Sequence, residues 1–361
     1  MTEFETNCCG TGRPAAGPVE ELHVSRGINR RSVLKGMAAT AGLSMVSGWS
    51  GLAMANDLTK VRLAFCSQLL CVVPYEATRA AGFFAEEGLD VELVYTRGGS
   101  AALQALNGGA VDYAATSFDA ALNAYANGAE IVRFATTGRL PLFALVTSPE
   151  TGETITSVSE LQGRTIGVAA LGTADHALAL FLLREAGVDP DTVQFATLGT
   201  NLFHALRLGQ VDAGMVQEPS LSMLTEQGAN LLFNAMDLED AEAYFGGAYE
   251  FMGVSVRRDE REQRMEEMRA LARALRKGLA YTREAPVEDL VEALPDELVA
   301  GGDIERLKGA LSRYRESLYP TEVQIDLDAA QRVVDAQVQA EILESPVDLD
   351  AIMDTSILGT S

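Results

Sequence analysis

Histidine, cysteine and tryptophan are scarce: the chain holds three, four and one of them in 361 residues, and aromatics make up 6%. With so few imidazole and thiol donors, no Cys/His set with zinc-ligand spacing can be drawn, and no metal or other cofactor is expected. There is also no nucleophile elbow and no phosphate-binding lysine loop. Basic residues are in deficit, with 28 Lys and Arg against 51 Asp and Glu. A surface of that sign disfavours nucleic acid and anionic membranes. It does not set the field inside a pocket. The chain is 47% apolar and has no long low-complexity tract, which fits a soluble globular protein of one or two domains.

The first segment resembles a twin-arginine export signal. Arg30-Arg31 precedes a mildly apolar run from Met37 to Met54, broken by Gly42, Gly48 and Gly51. Such a run spans a bilayer poorly. Ala53-Met54-Ala55 is a small-x-small cleavage signature, so residues 1–55 are expected to be removed and the rest to be periplasmic. No Cys follows the cleavage point directly, so no lipid anchor is expected. The mature chain keeps 23 basic and 47 acidic residues. Cys8 and Cys9 leave with the signal. Cys66 and Cys71 remain, and free, buried thiols are expected, with a disulfide as the alternative.

A repeat organises the mature chain. Gly99-Ser100 … Ala105-Leu106-Asn107-Gly108-Gly109-Ala110-Val111-Asp112 returns as Gly199-Thr200 … Ala205-Leu206-Arg207-Leu208-Gly209-Gln210-Val211-Asp212. Each copy has a short helix, with Ser100 or Thr200 as the expected N-cap, a Gly stop, and Val-Asp opening a strand. Two such units imply two similar α/β lobes with a cleft between them. Strands alternate with helices of about ten residues, as in mostly parallel sheets. A helix is expected over 73–82 with Pro74 in its first turn, and a capping box at Ser157–Glu160. Phe143–Thr147 and Phe251–Val256 are expected to be antiparallel partners that carry the chain out of one lobe and back. Lobe I is then 56–146 plus 254–361, and lobe II 147–253.

Several motifs in order resemble the periplasmic solute-binding proteins of nitrate, sulfonate, taurine and pyrimidine-precursor importers. They are Pro74-Tyr75-x-Ala77 … Gly82-Phe83-Phe84-x-x-Glu87-Gly88-Leu89-Asp90, Gly98-Gly99-Ser100, Leu161-x-Gly163-x-Thr165-Ile166-Gly167-Val168 … Gly172-Thr173, and Gly209-Gln210-Val211-Asp212-Ala213 … Glu218-Pro219. A closing segment, Gln331-Arg332-Val333-Val334 … Pro346-Val347-Asp348-Leu349, completes the match. The resemblance implies a type II periplasmic-binding-protein fold: two hinged α/β lobes, mostly parallel sheets flanked by helices, and ligand in the cleft. It also implies a monomer that hands a small solute to an ABC permease with its cytoplasmic ATPase.

Ligand contacts are expected where strands end. Gly99, Ser100, Gly172 and Thr173 combine close backbone approach, a hydroxyl and free helix amides. Ser67 and Gln68 end the first strand, and Thr116 and Ser117 a later one. Asp175, in the first turn after Thr173, and Glu218, after a strand of the second lobe, are expected to meet a donor or positive group on the ligand. The only histidines of the expected mature chain, His176 and His204, lack a ligand-spacing motif. The alternatives to a carrier are a pyrimidine-synthase-like enzyme of the same fold and a sensory domain. An export signal with only two cysteines left argues against the first, and the lack of a DNA-binding or membrane segment argues against the second.

Overall fold

The computed structural model describes residues 58–66, 68–299 and 303–357; the segment expected to be an export signal and Ser67 lie outside them. The first part of the chain runs through β1 (Thr59–Cys66), α1 (Leu69–Ala80), α2 (Phe83–Glu86), β2 (Leu89–Thr96), α3 (Gly99–Asn107), β3 (Tyr113–Ser117), α4 (Phe118–Ala126) and β4 (Ile131–Gly138). The second part holds β5 (Ala144–Thr147), β6 (Thr165–Val168), α5 (Ala174–Glu185), β7 (Gln194–Thr197), α6 (Leu202–Arg207), β8 (Ala213–Val216), α7 (Ser220–Thr225), β9 (Leu231–Asn234) and α8 (Leu238–Phe245). The chain returns with β10 (Met252–Arg257). It ends in α9 (Met265–Glu284), α10 (Val287–Glu292), α11 (Asp296–Val299), α12 (Ile304–Leu318), α13 (Leu327–Gln339) and α14 (Leu349–Ile352). Among the described residues no helix is long and apolar enough to cross a membrane.

Two five-stranded sheets result, ordered β2-β1-β3-β10-β4 and β7-β6-β8-β5-β9. In the first, β10 runs against both neighbours while the other four strands share one direction. In the second, β5 does the same. The two orders are therefore equivalent place by place. The sequence repeat falls on matching places, since its Val-Asp pairs lead into β3 and β8. The two aspartates do the same work. Asp112 accepts the amide of Arg62 at 2.7 Å, and Asp212 accepts that of Thr165 at 2.8 Å. Each backbone N–H returns a bond to the same residue's carbonyl, tying the third strand to the first.

Three expectations are corrected. β5 and β10 do not pair with each other; β5 belongs to the second sheet and β10 to the first. Each fills the slot between two parallel strands, which a strand buried on both faces suits. Residues 144–146, expected in lobe I, thus lie in the second sheet. Ser100 and Thr200 are not N-caps. Gly98, at φ 133°, holds that place for α3 with no side-chain cap, and Asn201 holds it for α6 behind a 3-10 turn. Finally, α1 starts at Leu69, so Pro74 lies inside it. A proline at that place cannot donate to the carbonyl four residues back. The buried Tyr319 hydroxyl donates to that carbonyl, of Leu70, at 2.7 Å. The capping box at Ser157 and Glu160 forms as expected.

The terminal helices tie the two sheet systems together. The apolar face of α9 packs on α1, with Leu271, Leu275 and Leu279 fully buried. From α12, Tyr314 accepts a bond from Asn234 of β9 at 3.0 Å. From α13, Gln339 donates to Glu185 of α5 at 2.5 Å.

Candidate functional site: a chamber between the two sheets

A chamber of about 170 Å³ is lined from both sheets. The ends of β1, β2 and β3 contribute Cys66, Arg97 to Ser100, and Ser117. The segment after β6 contributes Ala169 and Gly172 to Asp175. The starts of the two reversed strands contribute Phe143, Phe251 and Met252. This is the carboxyl edge of the parallel strands, where open α/β sheets bind ligands. The chamber shares Ser100, Ala120, Asn123, Gly172 and Thr173 with an outer groove of about 860 Å³ along α3 and α4.

Of the residues expected from sequence, Gln68, Gly99, Ser100, Ser117, Gly172, Thr173 and Asp175 line the chamber. Ser67 lies outside the described residues. Thr116 is fully buried within β3 and is not in the lining; its carbonyl accepts from Arg133 at 3.0 Å. Glu218 is also absent from the lining. Its carboxylate accepts from the Ser222 amide at 3.2 Å and the Ser222 hydroxyl at 3.0 Å, so it serves the first turn of α7.

The electrostatics of the chamber are lopsided. Asp175 is turned inward. It accepts from the Ala169 amide at 2.6 Å and the Thr173 hydroxyl at 2.5 Å, and the amides of its own turn add to these. Burial pushes its pKa up, and those bonds pull against it. The carboxylate occupies the positive end of α5, so no open amide cluster remains there. His176 accepts from the Gly172 amide at 3.1 Å through Nδ1, and burial lowers its pKa. His204 is exposed on α6.

The other side of the chamber carries the cationic residue of the lining, Arg97. Among the described residues no side chain caps the first turn of α3. Arg97, just ahead of it, has no ion-pair partner among the described residues. The Ser117 oxygen accepts from the Ala120 amide at 3.3 Å, which leaves its own hydrogen free to donate. Arg97, itself exposed, and the uncapped first turn of α3 line the same chamber, a combination of cation and helix amides that can hold an anion. Asn123 of α4 reaches across and donates to the Gly172 carbonyl at 3.4 Å, linking the two sides at the chamber's edge.

Sequence reasoning missed Arg97, Asn123 and Cys66 as lining residues. Arg97 carried a signal: a lone cation between a strand end and Gly98-Gly99 in a strongly acidic chain. Asn123 carried none, because it sits mid-helix and its partner is 49 residues away.

The fold is shared with known proteins. A solved Bordetella bronchiseptica protein is 26% identical, with 84% of this chain and 96% of that one covered and a TM-score of 0.72. The periplasmic aliphatic sulphonate binding protein SsuA of Escherichia coli is 20% identical over 84% and 94%, at TM-score 0.64. A Candida albicans protein described as having the generic periplasmic binding protein fold is 18% identical over 82% and 97%, at TM-score 0.65. Residues 72–289 match the family described as NMT1/THI5 like. With well over half its length matched and two equivalent α/β sheets around one chamber, the chain belongs to the NMT1/THI5-like family and has the periplasmic-binding-protein fold.

Proposed function

We propose that this protein is the solute-binding component of an ABC import system, acting after export to the periplasm, and that its solute is a small organic compound with an anionic end. The observation that carries this reading is Arg97, unpaired beside the uncapped first turn of α3, in a chamber lined from both sheets. Sequence alone favours a ligand with a positive or hydrogen-bond-donating group as well as an acceptor end, because Asp175 and Glu218 are expected at the cleft. Both carboxylates are engaged by their own loops, which removes the motive for that preference. The likeness to a sulphonate binding protein supports the anionic class.

The anionic end sits against Arg97, the α3 amides and Ser117, and the rest of the solute touches Gly172 and Thr173 opposite. Contacts from both sides exist together only when the chamber is closed, and that difference in affinity drives a hinge. The closed form is then what a permease recognises. The test is calorimetry of the mature chain with methanesulfonate, taurine, nitrate, aromatic acids and aminopyrimidines. Binding of anionic members is expected, with a smaller radius of gyration by scattering in the bound state. Binding of aminopyrimidines alone would overturn the anionic reading, and an unchanged radius would overturn the hinge.

A further inference from the structure

We propose that Cys66 and Cys71 are an oxidisable thiol pair that controls how the chamber presents Gln68 to its solute; the link to affinity rests on the anionic reading above. Cys66 ends β1 and lines the chamber, and Cys71 lies in the first turn of α1. Both are free and buried. Both sulfurs sit on one atom, the Oε1 of Gln68, at 3.8 Å and 3.6 Å. Two S–H donors on the amide oxygen leave the amide N–H2 group as the part of Gln68 available to the chamber. The reduced pair therefore turns a donor toward an anion.

Lying within 3.8 Å of one atom, the two thiols are also close neighbours of unequal acidity. When Cys66 ionises, a hydrogen bond from the Cys71 S–H in place of its bond to Gln68 favours the thiolate and lowers the Cys66 pKa, while burial holds that of Cys71 up. That makes Cys66 the attacking sulfur. Its thiolate attacks a low-molecular-weight disulfide that enters the chamber, forms a mixed disulfide and expels one thiolate, which takes a proton. Cys71 then gives up its proton, and its sulfur attacks that of Cys66. The Cys66–Cys71 bond forms and the second thiol leaves. The protein loses two electrons and two protons, and the small disulfide becomes two thiols. Both S–H donors are then gone, and the Gln68 amide is no longer held.

The experiment treats the full chain with dithiothreitol or with 2-hydroxyethyl disulfide. Peptide mapping, which sets Cys8 and Cys9 apart, is expected to find the Cys66–Cys71 crosslink after oxidation. Cys71→Ser is expected to stop at the mixed disulfide on Cys66, and Cys66→Ser not to react at Cys71. Methanesulfonate affinity is expected to fall about tenfold on crosslinking, the loss of one hydrogen bond to a charged group. No crosslink, or a crosslink with unchanged affinity, would overturn the proposal. If the reduced chain binds no anion, the solute reading fails by itself. The Gln68 side-chain amide signals in NMR, identified by their loss in Gln68→Ala, then decide. A shift on crosslinking supports the proposal, and unmoved signals refute it.

Discussion

The hydroxyl of Tyr319 donates to the carbonyl of Leu70, 249 residues earlier, at 2.7 Å. It satisfies the acceptor that Pro74 leaves open inside α1. Tyr319→Phe leaves a buried carbonyl unsatisfied, which costs ~1–3 kcal/mol. In a Pro74→Ala background the residue-74 amide can bond Leu70, so the same change is expected to cost much less. A double-mutant cycle by urea unfolding measures the difference. Equal costs in both backgrounds would separate Tyr319 from the proline.

Arg97→Gln is expected to weaken binding of anionic solutes by ~1.5–3 kcal/mol, the range for a hydrogen bond to a charged group. Unfolding should barely change, because the side chain has no ion-pair partner among the described residues. Glu218→Gln should leave affinity alone. Calorimetry on the two variants in parallel checks both outcomes.

Asp119 gives a pH dependence. Its Oδ1 accepts from Tyr249 at 2.8 Å and Gln337 at 2.6 Å, and its buried Oδ2 has no partner among the described residues. Burial pushes its pKa from 3.8 up to about 6. Between those values the folded state binds more protons than the unfolded one. Its stability contribution therefore falls as pH rises through that window and is constant above it, a change of ~3 kcal/mol. Asp119→Asn keeps an acceptor oxygen and cannot ionise. Urea unfolding at about pH 4 and pH 7 should show a smaller loss for the variant by ~2–3 kcal/mol. Identical losses would show that Asp119 does not titrate in this range.

Gly278 marks a close helix approach. A Cβ there would lie 1.7 Å from the Thr78 hydroxyl oxygen and 2.8 Å from its Cβ. Alanine favours a helix interior by ~1 kcal/mol over glycine, but overpacking costs ~1–3 kcal/mol. Gly278→Ala is expected to lower the melting temperature. Adding Thr78→Ala should recover part of the loss, and a melting temperature raised by Gly278→Ala alone would contradict the packing of α9 on α1.

Local pattern carried most of the fold. The Gly stops, the Val-Asp pairs and the Ser157 capping box are effects within a few residues, and the repeat located equivalent strands in the two sheets. Partners were harder to see. The apolar runs of β5 and β10 look alike because each is buried between two parallel strands, and nothing in either run says which sheet receives it. The candidate chamber was legible as a set of strand ends, with Gly99, Ser100, Gly172 and Thr173 among its lining residues. The direction of its charge was not. Asp175 and Arg97 both sit at helix starts. Only three-dimensional placement shows that the carboxylate closes back on Ala169 and Thr173 while the guanidinium stays unpaired.

The place of β10 has a consequence for how the chain is made. β3 and β4 are not neighbours until residues 252–257 come between them. Those residues leave the ribosome only after every strand of the second sheet. During vectorial synthesis the earlier sheet therefore waits with two strand edges bare, while the later one already has all its members. Bare edges recruit other strands. A chain released near residue 250 would keep both edges permanently and should collect in the insoluble fraction, whereas one released a few turns beyond β10 has the means to close them.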